Sequence, residues 1–518
     1  MKILLVYAAF PVSYWGFQHS MPLIGRRASL SPLGLITLAA LLPRTWELRL
    51  IDLNVQPLPD ADLVWADAVL VGGMRVQAPS MHEVVARARA LGRRTVVGGP
   101  APTTAPEDFP DAEVVFCGEA EGRIGELVAA LSAPRVATRV LVAKQRPALA
   151  FSPIPRFELL ELAAYSSVSV QYSRGCPFQC EFCDIIEIFG RVPRVKTPAQ
   201  VLAELTALYE RGYRGSVFFV DDNFIGNKVS VRALLAELEP WQRARGFPFE
   251  LYTEASVNLA ADRELVAAMV RSGFTAVFLG IETPSATALA AAGKRQNLAL
   301  DLSEAVQSLT VAGLEVMGGF IVGFDSDGVE AFEAQRQFLA GAPLPLAMVG
   351  LLSALPGTAL WRRLAREGRL RCSANGDAFA RPNFEPAMDE DLLLQGYAAL
   401  LAELYQPAAY YARCAAYVER AARLPGGGKQ LRAWHLATML RCLWQVGVRA
   451  PYRGEFWRLL GRTLRRAPHQ LTWVVGHVVM GEHMIRYTRE QVLPRLAQAR
   501  AELADERAAA RSTLRAAS

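Results

Sequence analysis

Three of the chain's seven cysteines, Cys176, Cys180 and Cys183, fall within eight residues at the spacing C-x3-C-x2-C. Cysteine thiolate is the usual ligand of iron–sulphur clusters, and three thiolates on one tight loop can hold three irons of a [4Fe–4S] cube. A closed zinc or structural site calls for a fourth local ligand. Cys117 lies far upstream, and Cys372, Cys414 and Cys442 lie far downstream. The fourth iron is then open, a place for a cofactor or substrate to bind. Three core cysteines grouped by chance is the weaker reading, because Gly175 and Pro177 break the loop and Phe182 is wedged between two ligands.

Other polar residues fall where apolar runs end. Phe219-Val220 leads into Asp221-Asp222-Asn223, and two adjacent carboxylates there can bind a metal, act as acid and base, or receive a cation. Thr253-Glu254-Ala255-Ser256, Gly280-Ile281-Glu282-Thr283 and Gly318-Gly319-Phe320-Ile321-Val322-Gly323 close three further runs. Arg191, Arg194 and Lys196, just past the cysteines, could hold acidic groups or form a solvated loop.

The elements that position these residues alternate between strand and helix. Strands are predicted at 167–172, 216–221, 249–255, 276–282, 316–322 and 348–354, with helices at 198–211, 228–245, 262–272, 301–313 and 328–340. Thr197-Pro198 is a good helix start, an N-cap threonine followed by proline. Six parallel strands with helices outside make a partial (β/α)6 barrel, whose chemistry gathers at the carboxyl ends of the strands. Ahead of it, apolar runs at 3–7, 48–52, 68–72, 95–97 and 114–116, with helices between several of them (33–42 and 81–91 among them), predict a parallel sheet covered on both faces. Glycines end three of those runs, Gly72-Gly73, Gly98-Gly99 and Gly118, at the edge where open α/β sheets bind ligands. Ordinary turns explain any one pair; three in succession point to a ligand. No G-x-G-x-x-G fingerprint is present.

The chain is therefore read as α/β, with a Rossmann-like domain at 1–140, a proline-marked linker at 141–165, the barrel at 166–370 and an α-helical C-terminal domain at 371–518. In the last, amphipathic helices are predicted at 389–404, 429–446, 455–465 and 471–488, and a polar helix at 489–515. The stretch from Tyr452 to Arg466 is basic and aromatic, as interfacial helices are, although a solvated face over a packed stripe has the same pattern. His477 and His483 stand six apart, off the i, i+4 spacing of a helical metal pair, and are read as core or substrate-pocket residues. A balance of +6 in 518 residues is too weak to argue for nucleic acid and leaves room for an anionic surface. An odd cysteine count with three in one motif suits a reducing cytoplasm. Neither a leader peptide nor an apolar run of about eighteen residues is evident.

C-x3-C-x2-C after a first strand resembles the radical S-adenosylmethionine (SAM) superfamily. That resemblance implies an open iron that chelates the amino and carboxylate groups of SAM, and reductive cleavage to a 5′-deoxyadenosyl radical. It places Phe182 near the adenine, Asp221 and Asp222 at the amino group, Glu254 and Ser256 at the ribose, Glu282 near the carboxylate and ribose, and Gly318 and Gly319 beside the adenine. By its position, the first domain resembles the superfamily's cobalamin-binding domain, with Gly73, Met74, Gln77, Gly99 and Glu119 as contact candidates. The D-x-H-x-x-G signature is absent, so cobalamin would bind without a histidine beneath the cobalt. The whole order resembles the cobalamin-dependent radical SAM methyltransferases. The runs Cys180-Glu181-Phe182-Cys183-Asp184-Ile185 and Gly280-Ile281-Glu282-Thr283-Pro284, with Leu443-Trp444-Gln445-Val446-Gly447 in the tail, look most like hopanoid C-2 methylases. The implied activity is methylation of an unactivated carbon of an apolar substrate of hopanoid type. A bacteriochlorophyll-type porphyrinoid, a non-methylating rearrangement or cyclisation, and an iron–sulphur sensor are the rivals. A flavodoxin- or ferredoxin-type electron donor, a cytoplasmic location and peripheral contact with the inner membrane face complete the expectations; oligomeric state is left open.

Overall fold

The computed structural model describes residues 1–135, 138–143, 145–374, 376–377, 379–421 and 433–517, with backbone alone for 433–435 and 514–517. Its first sheet has six parallel strands in the spatial order Glu47–Asp52, Lys2–Tyr7, Ala68–Gly72, Arg94–Gly98, Val114–Cys117 and Arg139–Val142. Near-continuous apolar runs make such strands because both faces are covered. Ile3 and Leu5 pack on one face against Leu35 and Ala39 of the helix Leu33–Leu41, and Leu4 and Val6 pack on the other against Met81, Val84 and Val85 of Ala78–Ala90. Strand order reverses beside Lys2–Tyr7, and ligands of doubly wound sheets sit in the crevice at the carboxyl side of that point. The edge strand Arg139–Val142 runs into the stretch expected to be linker.

The second sheet carries the six expected strands, in sequence order and all parallel: Tyr165–Val170, Ser216–Phe219, Glu250–Ala255, Phe274–Glu282, Glu315–Val322 and Ala347–Leu351. A seventh was not anticipated. Ala28–Leu30, within the stretch assigned to the first domain, pairs in parallel with Tyr165–Val170 and closes that edge of the partial barrel. Helices cover the outside. Pro198–Glu210 starts as predicted, with Thr197 accepting from the Gln200 N–H while the Gln200 side chain accepts from the Thr197 N–H.

The tail is helical: Glu390–Leu404, Pro407–Arg420, Ala433–Cys442 continuing as a π-helical turn over Leu443–Arg449, Arg453–Arg466, Leu471–Tyr487 and Leu493–Ala517. Residues 429–432 of the helix predicted at 429–446 lie outside the described residues. Tyr397 donates to the Val349 carbonyl (2.8 Å) and Arg413 to that of Leu344 (3.0 Å), pinning the tail to the last barrel strands. His477 and His483 are both core residues. His477 bonds Glu315 at the foot of its strand (2.6 Å), and His483 bonds the Ser13 carbonyl (2.8 Å). Among the described residues no helix is long and apolar enough to cross a membrane.

Candidate active site

The cysteine loop is built by its neighbours. Ser173–Arg174 pairs antiparallel with Arg194–Val195, and Gly175 at φ +97° turns the chain so closely that a Cβ would lie 2.8 Å from the Gly190 carbonyl oxygen. The Cys176 N–H then donates to that oxygen (3.1 Å), Glu181 N–H to Ala292 (3.0 Å) and Leu360 N–H to Glu181 (2.8 Å), so three separate segments clasp the loop. Asp221 holds its base. One carboxylate oxygen accepts from Tyr172 N–H (2.8 Å), the other from Ser173 N–H (2.8 Å) and the Ser173 hydroxyl (2.6 Å). Asp222 accepts from Gly175 N–H (2.8 Å).

All three thiols of the loop are free. Burial pushes each of them up, and the Lys294 ammonium pulls each back down. They also face one another: Cys176 raises Cys180, and Cys180 raises Cys183. Asn223 Nδ2 stands 3.8 Å from the sulphur of Cys176, and Gln296 Nε2 stands 3.7 Å from that of Cys180. Among the described residues no trio of His, Cys, Asp or Glu converges on a single-ion site. A trio of thiols, Cys180 buried and Cys176 and Cys183 half-buried, beside a fixed cation and two amide donors suits a larger group that takes thiolates, as an iron–sulphur cube does.

Lys294 is itself buried and paired with Glu282, the last residue of its strand. Glu282 has φ +65°, a conformation costing roughly 1–3 kcal/mol in a non-glycine residue. Asn297 stabilises it by donating to the carbonyls of both Gly280 and Ile281 (3.0 Å each). Sequence reasoning missed Lys294, Gln296 and Asn297, although Gly293-Lys294-Arg295-Gln296-Asn297 follows Glu282 within fifteen residues.

Both sheets present their carboxyl edges to one cavity of about 1350 Å³. That exceeds the roughly 300–1,000 Å³ of a single-ligand pocket and gives space for more than one. Gly73, Met74, Gly99, Thr103 and Glu119 line it from the first sheet; Asp221, Asp222, Glu254, Glu282, Gly319 and Gly350 line it from the barrel. Phe218, Phe278, Val349 and Met348 make an apolar barrel floor, Trp15 packs on Phe278 with ring centroids 4.7 Å apart, and Tyr487 and Arg495 reach in from the tail. Burial drives three carboxyls up: Asp221 to about 7, Asp222 to about 6, and Glu254, further raised by the other two, to about 8. Such a trio favours a cationic ligand, which would let all three ionise.

Some expected contacts are placed elsewhere. Gln77 is fully buried, and its amide bonds the Ala8 carbonyl and the Met74 N–H, so it shapes the glycine loop and does not reach the cavity. Gly318 faces away, toward Phe320 and Ile281, while Gly319 faces Phe278. Ser256 bonds Asn223 (3.1 Å) and Asn258 (2.6 Å). Phe182 packs edge-on against Phe324, 5.9 Å from the Lys294 nitrogen. Glu119 lines the cavity but is engaged by Arg174 (2.6 Å) and Arg194 (2.7 Å), while Glu121 takes the other arm of Arg174 (2.8 Å). Burial opposes the charge of Glu121, yet Arg174 outweighs it and holds that carboxyl below the usual range. Of the three cations past the cysteines, Arg194 and Lys196 are therefore structural, Lys196 being buried against Glu204.

On the first-sheet side the fit to a flat macrocycle rests on glycine. Gly99, at φ +98°, approaches Gly73 so closely that a Cβ would stand 3.1 Å from its carbonyl oxygen, which keeps that floor free of side chains. None of His19, His82, His469, His477 and His483 lines the cavity.

Residues 24–128 match the B12 binding domain, 170–339 the radical SAM superfamily, and 358–494 a domain of unknown function (DUF4070). The chain is 41% identical over 499 residues to an uncharacterized methyltransferase of Synechocystis sp., covering 94% of this chain and 92% of that one. It is 37% identical over 500 residues to the hopanoid C-2 methylase of Rhodopseudomonas palustris, covering 94% of each. Its fold resembles that of the cobalamin-dependent SAM radical enzyme OxsB, solved with aqua-cobalamin and SAM bound. The TM-score is 0.59 at 15% identity, over 98% of this chain and 81% of that one.

Proposed function

Because the chain belongs to the cobalamin-dependent radical SAM methyltransferases, we propose that it methylates an unactivated carbon of an apolar, hopanoid-type lipid. Its cofactors are a [4Fe–4S] cluster, SAM and cobalamin, which when bound supply a hydrogen-abstracting radical and a transferable methyl group. It needs a reductant, for which a flavodoxin- or ferredoxin-type protein is suited.

Cys176, Cys180 and Cys183 would hold the cluster, with Lys294 balancing part of the thiolate charge. Asp222 and Glu254 would receive the amino and ribose groups of SAM, since Asp221 spends both oxygens on the loop. Gly73, Met74 and Gly99 would floor the corrin. The Arg174 pairs to Glu119 and Glu121 join the cluster loop directly to the first sheet, and so fix the distance across which hydrogen abstraction and methyl delivery must meet on one carbon. The apolar walls exclude water that would otherwise divert reactive species.

The observation that carries the substrate class is the barrel floor. Phe218, Phe278, Val349 and Met348, roofed by Trp15, offer apolar contact to a rigid hydrocarbon. A lipid substrate also draws the protein to the membrane face as a peripheral visitor. The test is to supply methyl-labelled SAM, a reductant and a hopanoid to reconstituted protein and follow label into lipid by mass spectrometry. Labelled 2-methylhopanoid is expected. SAM cleavage without label transfer to any hopanoid, or label in an added porphyrinoid instead, would overturn the reading.

A further inference from the structure

The helices between 433 and 466 leave an apolar face outward. On the first, Leu436, Leu440, Trp444 and Val448 recur every fourth residue and all are more than half exposed, Trp444 at 61%. On the second, Phe456, Leu459 and Thr463 face the core, while Trp457 and Leu464 point out, Trp457 at 48%. The two faces are one surface. Gly447 lies in the last turn before Pro451, which has no N–H to offer its carbonyl, and Trp457 Nε1 donates to that carbonyl instead (2.8 Å), laying the indole against Gly447. Seven arginines lie in the same stretch against a single acid, Glu455. All seven are exposed. Glu455 is spent on Arg458, and Glu419 of the helix Pro407–Arg420 meets Arg462 (3.2 Å) and Arg466 (3.4 Å), which leaves Arg441, Arg449, Arg453 and Arg465 unmatched by an acid among the described residues.

We propose that this face docks on an anionic phospholipid bilayer, with Trp444, Leu440 and Val448 entering the headgroup boundary and Arg449 and Arg453 meeting lipid phosphates. The charge balance argues for this occupant over an apolar protein partner. Position supports it too. Arg441 donates to the Leu23 carbonyl (3.3 Å), joining the first helix to Met21–Ile24, and the chain just before that, including Tyr14 and Trp15, walls the cavity. A docked face would thus bring the cavity wall near the lipid. The proposal takes the peripheral contact above as its premise and is tested apart from methyl transfer.

Full-length protein is mixed with hopanoid-free vesicles of equal parts phosphatidylcholine and phosphatidylglycerol, or of phosphatidylcholine alone, and floated on a density step. The protein is expected to float with the anionic vesicles and far less with the neutral ones. Leu440→Glu and Trp444→Glu, both at exposed positions, should each lower the bound fraction roughly tenfold. Arg449→Glu with Arg453→Glu should erase the preference for anionic lipid. Val229→Glu, at an exposed valine on the helix Lys228–Ala244, should change nothing. Circular dichroism of each variant should match the parent. Failure of the parent protein to float, or flotation indifferent to Leu440→Glu and Trp444→Glu, overturns the proposal. So does a dimer in sedimentation that Trp444→Glu dissociates, since a second copy would then cover the face.

Discussion

Replacing Asp221 with asparagine separates two roles for that residue. In the structure its carboxylate receives two backbone N–H groups and one hydroxyl from Tyr172 and Ser173, at 2.6–2.8 Å. Asparagine keeps one acceptor oxygen but turns an NH2 toward donors on the other side. Two donors then lose a charged acceptor at about 1.5–3 kcal/mol each. Part of this is offset, because burial pushes Asp221 up to about 7 and its charge is expensive to keep. A net loss of about 2–4 kcal/mol follows, spent on loosening the cysteine loop, against a total stability of about 5–15 kcal/mol for a typical domain. The assay is iron and sulphide content per chain after anaerobic reconstitution, with the electron paramagnetic resonance signal of the reduced cluster. Asp221→Asn should bind cluster poorly, and Ser173→Ala, which removes only the hydroxyl, should show a milder version of the same defect. If Asp221→Asn instead holds a full cluster and loses only SAM affinity, the carboxylate serves the cofactor as first expected from sequence, and the anchoring argument fails.

Three more outcomes follow from the same geometry. Asp221, Asp222 and Glu254, raised to about 7, 6 and 8, hold protons that the unfolded chain has already released above about pH 4. Ligand-free stability should therefore fall as pH rises from about 5 to 8, while SAM affinity rises across pH 6–8 by up to about tenfold per pH unit for each proton released; calorimetry in buffers of different ionisation enthalpy would count the released protons. Lys294→Met strands the Glu282 carboxylate and should cost about 3–5 kcal/mol in chemical denaturation, with Glu282→Gln in the same chain recovering part of it. Gly350 lines the cavity with open space where a Cβ would stand, so Gly350→Phe should abolish methylation of a bulky substrate while 5′-deoxyadenosine formation persists; normal methylation would remove Gly350 from the substrate wall.

The cysteine loop and the order of the barrel strands were legible because their signals are local: three thiols in eight residues, and apolar runs closed by polar ones. Asp221 stood out as a polar residue past an apolar strand, and its carboxylate turns back onto Tyr172 and Ser173. Nothing in a linear reading tells whether a carboxylate at a strand end turns toward the cavity or back to the preceding strand's backbone. The Arg174 pairs were invisible because Glu119 and Glu121 lie more than fifty residues away, and ion pairs between domains have no period. Ala28–Leu30 escaped for a related reason. Three residues are too few to show alternation, and only the exposed flank of Tyr165–Val170 gives them a place.

That short strand also has a bearing on synthesis. The polypeptide lays down Lys2–Tyr7 in one sheet, lends Ala28–Leu30 to the other, then returns for Glu47–Asp52, so the two units are stitched through one another. A nascent chain that has emerged only as far as residue 142 has all six strands of its first sheet yet carries an orphan segment whose partner, Tyr165–Val170, is still to come. Completion of the first unit is thereby tied to the arrival of the second. A fragment cut between them would be expected to show a ragged, sticky edge, and grafting this B12-type module onto another enzyme would require that segment to be redesigned.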